Sequence, residues 1–308
     1  MTTAATELPA PSVGKPTPRG RRYRGGLLAV SSKAMLRTPG RVAGVVIIVG
    51  FAVMGLIGPW IYPHNLPVNA NAIYAGPSLA HPLGTDFEGT DVLALLVTGA
   101  RYVLLSALIA GLVAVVVGTT IGLVAGYLRG LTDLGLSRFT DFALTVPGIP
   151  LLVVLSTVYR FTSPYMMGVV LGLTGWGGLA RAVRSQALSL RERPYLEAAR
   201  GLGLPLRHIL WRELLPNIAP YVAMNLLLAV IGSIYAETGL FFLGVLPAQV
   251  NNWGVMLNLA VFSAGAIGSP QALTYLLAPL VSILLLTLGI VLLLDAVDEI
   301  FNPRLRTL

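Results

Sequence analysis

Beyond residue 41, long apolar runs bounded by arginine, proline or polar clusters alternate with short charged stretches to the end of the chain. A helix needs roughly 20 apolar residues to cross the hydrocarbon core of a bilayer. Six segments meet or approach that length: Val42–Ile61, Tyr102–Leu128, Phe139–Tyr159, Tyr165–Ala180, Ile218–Tyr235 and Leu273–Leu294. The fourth is short and crowded with Gly168, Gly172, Gly175, Gly177 and Gly178. A seventh stretch, 255–267, is too short to span and is expected to lie on the membrane surface or half-inserted. The pattern predicts an all-α membrane protein with six transmembrane helices.

Composition agrees. The chain is 55% hydrophobic and 11% charged, where an ordinary soluble domain carries about a quarter charged residues to cover its surface. The net charge of +8 does not point to nucleic acid, because the basic residues flank the apolar runs. With six spans and both termini inside, the cytoplasmic pieces are 1–41, 129–138, 181–217 and 295–308. They hold 19 of the 21 Lys and Arg residues, and only Arg101 and Arg160 fall outside. This is the asymmetry of the positive-inside rule. Five or seven spans would place basic clusters on opposite faces. The organisation expected is a basic tail at 1–41, a first transmembrane helix at 42–62, an extracytoplasmic segment at 63–101, a transmembrane core at 102–296 and a cytoplasmic C-terminus at 297–308. The proline-rich tail is too long for a signal peptide and shows no small-residue cleavage site after the first apolar run.

Candidate chemistry is sparse. There is no cysteine, and His64, His81 and His208 lie far apart in forms that match no metal motif. Neither lysine sits in a GxxxxGK[ST] loop. No cofactor is therefore expected on this chain, and energy must come from a partner or an ion gradient. An ion-driven carrier buries several carboxylates near its midplane, and none lies there; Glu237 falls near the outer end of the fifth span. Arg138 and Asp141, one turn apart, are expected to pair. Ala110, Ala114, Gly118, Gly122 and Gly126 repeat every fourth position of the second span, which puts small residues on one face for close helix packing. Pro147 and Pro150 interrupt the third span, as in helices that bend or line a pathway.

The loop 181–217 is the unusual part. Leu188, Leu190, Leu196, Ala199 and Leu202 recur at helical spacing and predict one short helix. Gly201 and Gly203 break it, and Leu206, Ile209, Leu210 and Leu214 predict a second helix ending before Pro216. Such an element suits docking into a groove on another protein, although an ordinary connector has the same pattern.

At these residues the chain resembles a known family. Glu197-Ala198-Ala199, then Gly203, then Leu215-Pro216 is similar to the EAA loop of ABC importer permeases, with Glu213 where isoleucine is expected. The string His81-Pro82-Leu83-Gly84-Thr85-Asp86 with Gly89, Asp91-Val92 and Gly99-Ala100-Arg101 resembles the segment before the second span of dipeptide, oligopeptide and nickel permeases. Glu237-Thr238-Gly239-Leu240, Phe242-Leu243-Gly244, Trp253-Gly254 and Asn302-Pro303-Arg304-Leu305 also match, and the likeness is to the second permease subunit. Phe241, where serine is frequent, and the ending Leu294-Asp295-Ala296-Val297-Asp298 depart from the family.

The resemblance implies a type I ABC importer transmembrane domain with a cytoplasmic EAA coupling loop. The implied partners are a homologous permease subunit forming a heterodimer, two ATPase subunits that carry ATP and Mg, an extracytoplasmic substrate-binding protein and the lipid bilayer. Glu197, Ala198, Ala199, Gly203, Leu215 and Pro216 would form the ATPase-coupling loop, with Gly203 supplying a turn that a side chain would obstruct. Arg191, Arg193, Arg200, Arg207 and Arg212 would face acidic partner groups. Pro147, Pro150, Glu237 and Phe241 are candidate pathway or gate positions. The chain itself would not be an enzyme, and the resemblance favours peptides over nickel complexes or haem. A secondary transporter or channel not driven by ATP is the competing class.

Overall fold

A computed structural model describes residues 38–301 apart from 63–65 and 67. The basic tail up to residue 37, His64 and the Asn302-Pro303-Arg304-Leu305 string lie outside the described residues. The long elements among the described residues are all helices: α1 Pro39–Ile61, α2 Val92–Leu128, α3 Gly130–Thr145, α4 Gly148–Val158, α5 Pro164–Gly175, α6 Gly177–Arg191, α7 Pro194–Gly201, α8 Leu206–Phe242, α9 Trp253–Phe262 and α10 Leu273–Phe301. Four of these are long and apolar enough to cross a membrane, and six crossings result if the bent pairs α3–α4 and α5–α6 each count as one.

The expected third and fourth spans are thus broken helices. The α3–α4 pair turns by 77°. Pro147 occupies the N-cap position of α4 in extended conformation, and Pro150 sits in its first turn, where a missing N–H costs nothing. The prolines end one helix and start the next instead of kinking a continuous one. The α5–α6 pair bends by 50° at Trp176, and α6 runs on to Arg191, beyond the expected end at Ala180.

α2 is the central post. At 37 residues it measures about 55 Å, longer than the hydrocarbon layer is thick. Its small-residue stripe packs as the four-residue spacing predicts. A Cβ on Gly118 would lie 2.8 Å from the Trp176 carbonyl oxygen, one on Gly122 2.6 Å from that of Ala180, and one on Gly126 2.7 Å from that of Arg184. From the other side, a Cβ on Gly172 of α5 would lie 2.7 Å from the Ala110 carbonyl oxygen. The bent α5–α6 pair therefore follows the stripe along its length. α1 packs against α2 and α10.

Asp133 and Asp141 of α3 clasp α6. Arg184 Nε and Nη2 donate to Asp133 Oδ1 and Oδ2 at 2.5 and 2.7 Å, and Arg181 Nη2 donates to Asp141 Oδ1 at 2.7 Å. The expected Arg138–Asp141 pair is replaced by this contact between helices, because folding brings α6 alongside α3.

At the opposite end of the bundle the segment before α2 is tied by its own motif residues. Asp91 caps α2, accepting from Ala94 N at 3.0 Å, and its second oxygen lies 2.9 Å from His81 Nδ1. Buried Asp86 accepts from the N–H groups of Glu88 and Thr90. Burial pushes its carboxyl above the usual carboxylate range, with those hydrogen bonds pulling the other way. Gly89, at φ +80°, passes so close to the Asn69 carbonyl that no side chain fits. α9, from the stretch expected on the membrane surface or half-inserted, is packed into the bundle: Trp253, Val255, Met256, Leu257 and Ala260 are buried among α8, α10 and α2, and Trp253 Nε1 donates to the Leu96 carbonyl at 2.9 Å.

Candidate coupling and pathway sites

The basic end of the bundle carries a protruding turn formed by α7, residues 202–205 and the start of α8. Leu196 and Ala199 of α7 are buried against Ile209, Leu210 and Leu214 of α8 and against Val183 and Ala187 of α6. That inner face anchors the element, while Glu197, Ala198 and Arg200 point outward. The two alanines of the triplet therefore differ, since Ala199 fits a tight core position and Ala198 offers a small outer surface. Among the described residues the Glu197 carboxylate makes no hydrogen bond or ion pair. Beside it, Leu202 is 78% exposed, and Leu206 and Trp211 are also exposed.

Gly203 terminates α7. Its N–H donates to the Arg200 carbonyl at 2.9 Å, and Leu204 N–H donates to that of Ala199 at 3.2 Å. This is the Schellman pattern, which requires a left-handed residue at the position of Gly203, and its φ is +70°. The expected obstruction is absent: nothing lies within 4 Å of a Cβ placed there. The requirement for glycine is conformational.

Pro216 does not end the second helix. A π segment at Ile209–Leu214 precedes it, with Leu215 N–H donating to the Leu210 carbonyl, and α8 continues to Phe242. A π turn shifts the hydrogen-bond register at a point where proline would break the ladder, and Asn217 Nδ2 donates to the Glu213 carbonyl at 2.6 Å. Leu215 and Pro216 thus lie inside a continuous rod joining the protruding turn to the far end of the bundle. Glu213 is half-buried with its carboxylate 3.6 Å from His208 Nε2.

Two of the five loop arginines are used within the chain. Arg191 and Arg200 stack over the Tyr127 ring of α2 at 5.9 and 5.6 Å from its centroid, and Arg200 Nη2 donates to the Arg191 carbonyl. Arg129, at the end of α2, pairs with Glu192 at 2.8 Å. These contacts fasten the turn to the central post. Arg193, Arg207 and Arg212 are exposed and remain available to a partner. Tyr127 carried no signal in the sequence, because an aromatic at a helix end is unremarkable until its neighbours are known.

The candidate gate positions separate into two groups. Pro147 and Pro150 are exposed at the α3–α4 break. Beside them, a cavity of about 240 Å³ is lined by Ala114, Gly148, Gly175, Gly232 and Ser233, and Cβ atoms placed on those glycines would meet nothing within 4 Å. Glu237 and Phe241 are instead fully enclosed by their own chain. Ser106 Oγ donates to Glu237 Oε2, and Asn252 Nδ2 donates to Oε1 at 2.5 Å. Phe241 meets Tyr102 edge-on at 5.7 Å inside an apolar cluster with Leu152 and Leu171, which themselves line the cavity. Neither enclosed side chain presents a surface to a pathway in this conformation. Among the described residues no cluster of three metal-ligating side chains occurs.

A family model described as the binding-protein-dependent transport system inner membrane component matches residues 118–307. The oligopeptide transport system permease protein OppC of Haemophilus influenzae is 28% identical over 232 residues, 74% of each chain. A putative peptide permease protein of Brucella suis is 32% identical over 287 residues, covering 91% of this chain and 92% of its own. The dipeptide transport system permease protein DppC of Bacillus subtilis is 31% identical over 221 residues, 70% of this chain and 68% of its own.

Proposed function

The chain belongs to the family of binding-protein-dependent transport system inner membrane components, and on that premise we propose that it is one half of a peptide importer whose protruding turn receives the stroke of a cytoplasmic ATPase. The carrying observation is the turn itself. An unpaired carboxylate at Glu197, a small outer surface at Ala198 and the exposed Leu202 sit together on an element whose inner face is locked into the bundle. A projection that was only a connector would not need an apolar tip ringed by charge. ATP and Mg belong on the partner ATPases, and this chain is the non-catalytic lever.

The basic end is cytoplasmic in this reading, with both termini on that side. Movement of the docked turn travels along α8 and, through Tyr127, along α2, both rigid helices that cross the membrane. The face around Gly148, Gly175 and Gly232 is the wall shared with a homologous permease, since its glycines pack against nothing in their own chain. Pro147 and Pro150, at the 77° break beside that wall, are the positions at which it flexes. Peptide as the substrate is supported by the names of the relatives.

The test is coupled ATP hydrolysis by the reconstituted complex of both permeases, both ATPases and the binding protein. Glu197→Arg sets a cation where the partner groove expects a carboxylate. It should reach the membrane at normal levels, yet lose at least about 90% of the hydrolysis stimulated by loaded binding protein, consistent with an interfacial charge reversal costing more than about 1.4 kcal/mol. Unchanged stimulated hydrolysis and uptake would reduce the turn to a connector.

A further inference from the structure

A larger cavity opens at the other end of the bundle, where Arg101 stands. Its volume is about 560 Å³, and it lies between the first turns of α2, the loop leading into α5 and the loop that follows α8. Arg101 is the only charged residue in its lining. Among the described residues, no carboxylate or other partner is bonded to its guanidinium. Thr98, Thr162, Gln249 and Asn251 add hydrogen-bonding side chains, while Leu105 and Val250 add apolar wall. Outside the cytoplasmic clusters, basic residues are scarce in this sequence, with Arg101 and Arg160 the only ones on this side.

We propose that this cavity is an entry subsite in which Arg101 binds the free C-terminal carboxylate of a peptide substrate as it leaves the binding protein. This rests on the peptide-importer reading above. A guanidinium fork matches a carboxylate with two parallel N–H donations, and the amide and hydroxyl side chains match the alternating donors and acceptors of a short peptide backbone. The cavity is open to solvent on one side, and Arg101 is exposed there. A mouth lined by side-chain amides and hydroxyls around a guanidinium fits a polar solute better than a lipid, whose acyl chains need a continuous apolar groove. Position supports the same assignment. Tyr102, the next residue on α2, lines this cavity, while its ring packs against Phe241 in the cluster containing Leu152 and Leu171. Those two leucines line the second cavity, beside the Pro147–Pro150 break. A single apolar cluster thus separates the entry subsite from the small-residue wall, and a peptide held at Arg101 would wait directly above it.

The experiment uses the complete reconstituted complex and a peptide that the binding protein carries both as the free acid and as the C-terminal amide. Arg101→Ala should raise the KM for uptake of the free acid about tenfold, the loss of one charge-assisted contact, and change that for the amide by less than about twofold. Arg101→Lys, which keeps the charge but loses the fork, should give a free-acid KM between those of the wild type and Arg101→Ala. Because this subunit contains no cysteine, Arg101→Cys modified with an aminoethyl thiol reagent should regain free-acid uptake, whereas a neutral reagent of the same length should not. Equal loss for acid and amide would overturn the subsite, as would weaker docking of loaded binding protein. A defect confined to liposomes containing anionic phospholipid would do the same by assigning Arg101 to a lipid headgroup. A wild-type complex whose ATP hydrolysis no peptide-loaded binding protein stimulates would instead remove the peptide reading, and the subsite with it.

Discussion

Asn252 serves Glu237 and a helix start at the same time. Its Nδ2 donates to Glu237 Oε1 at 2.5 Å, and its Oδ1 accepts from Gly254 N–H at 2.7 Å, capping α9. Ser106 of α2 completes the cluster from the other side, so one carboxyl group joins α2, α8 and the loop before α9 in a region where water is excluded. Asn252→Ala should therefore cost about 2–4 kcal/mol, the sum of a lost cap and a buried oxygen left without its donor. Thermal unfolding of the purified permease complex in detergent measures it. A loss below about 0.5 kcal/mol, the range of an ordinary surface substitution, would show that the cluster is not a structural pin.

The packing along α2 makes a paired prediction. Gly122→Leu forces a side chain against the Ala180 carbonyl and Val183, and should destabilise by about 3 kcal/mol or more through overpacking. Gly135→Ala on α3 meets nothing within 4 Å and should be neutral or stabilising by up to about 1 kcal/mol from helix propensity alone. The yield of monodisperse complex and its melting temperature distinguish the two.

At Gly203 the outcome depends on backbone conformation. Asparagine tolerates the left-handed region, so Gly203→Asn should preserve most of the stimulated ATP hydrolysis. Gly203→Val should lose it, because a β-branched residue at φ +70° distorts the end of α7 at a cost of about 1–2 kcal/mol or more. Open space around the position means that side-chain size alone is not the discriminating variable, and equal behaviour of the two variants would contradict this account.

Orientation is testable without removing any native thiol. Ser78 and Ser189 are both exposed and lie at opposite ends of the bundle. In intact cells, an impermeant thiol reagent should label Ser78→Cys and spare Ser189→Cys until the membrane is opened. The reverse pattern would invert the topology and place the EAA turn beyond the reach of any cytoplasmic ATPase.

Much of this was legible in one dimension. Apolar run length identified the crossings, arginine placement suggested their direction, and the four-residue spacing from Ala110 to Gly126 anticipated a close helix contact, because each of these depends on local periodicity. The apolar spacing of Leu196 and Ala199, and of Leu206, Ile209, Leu210 and Leu214, marked the two short helical pieces for the same reason, and the Schellman cap at Gly203 needs only one helix end to be understood.

Other features depended on which helices became neighbours. Asp141 had a plausible partner one turn away in Arg138, yet it pairs with Arg181, forty residues distant, since the bend at Trp176 lays α6 along α3. Pro216 read as a helix stop, yet α8 passes through it, because a π turn absorbs the missing N–H once the flanking segments are anchored. Glu237 read as a gate candidate, but the fold encloses it with Ser106 and Asn252. Arg101 carried only a motif resemblance until three segments distant in sequence came together to form a cavity beside it. Run length, charge sign and capping belong to the chain as written, whereas partner choice, enclosure and cavities arise only when tertiary packing brings residues far apart in sequence within a few ångströms.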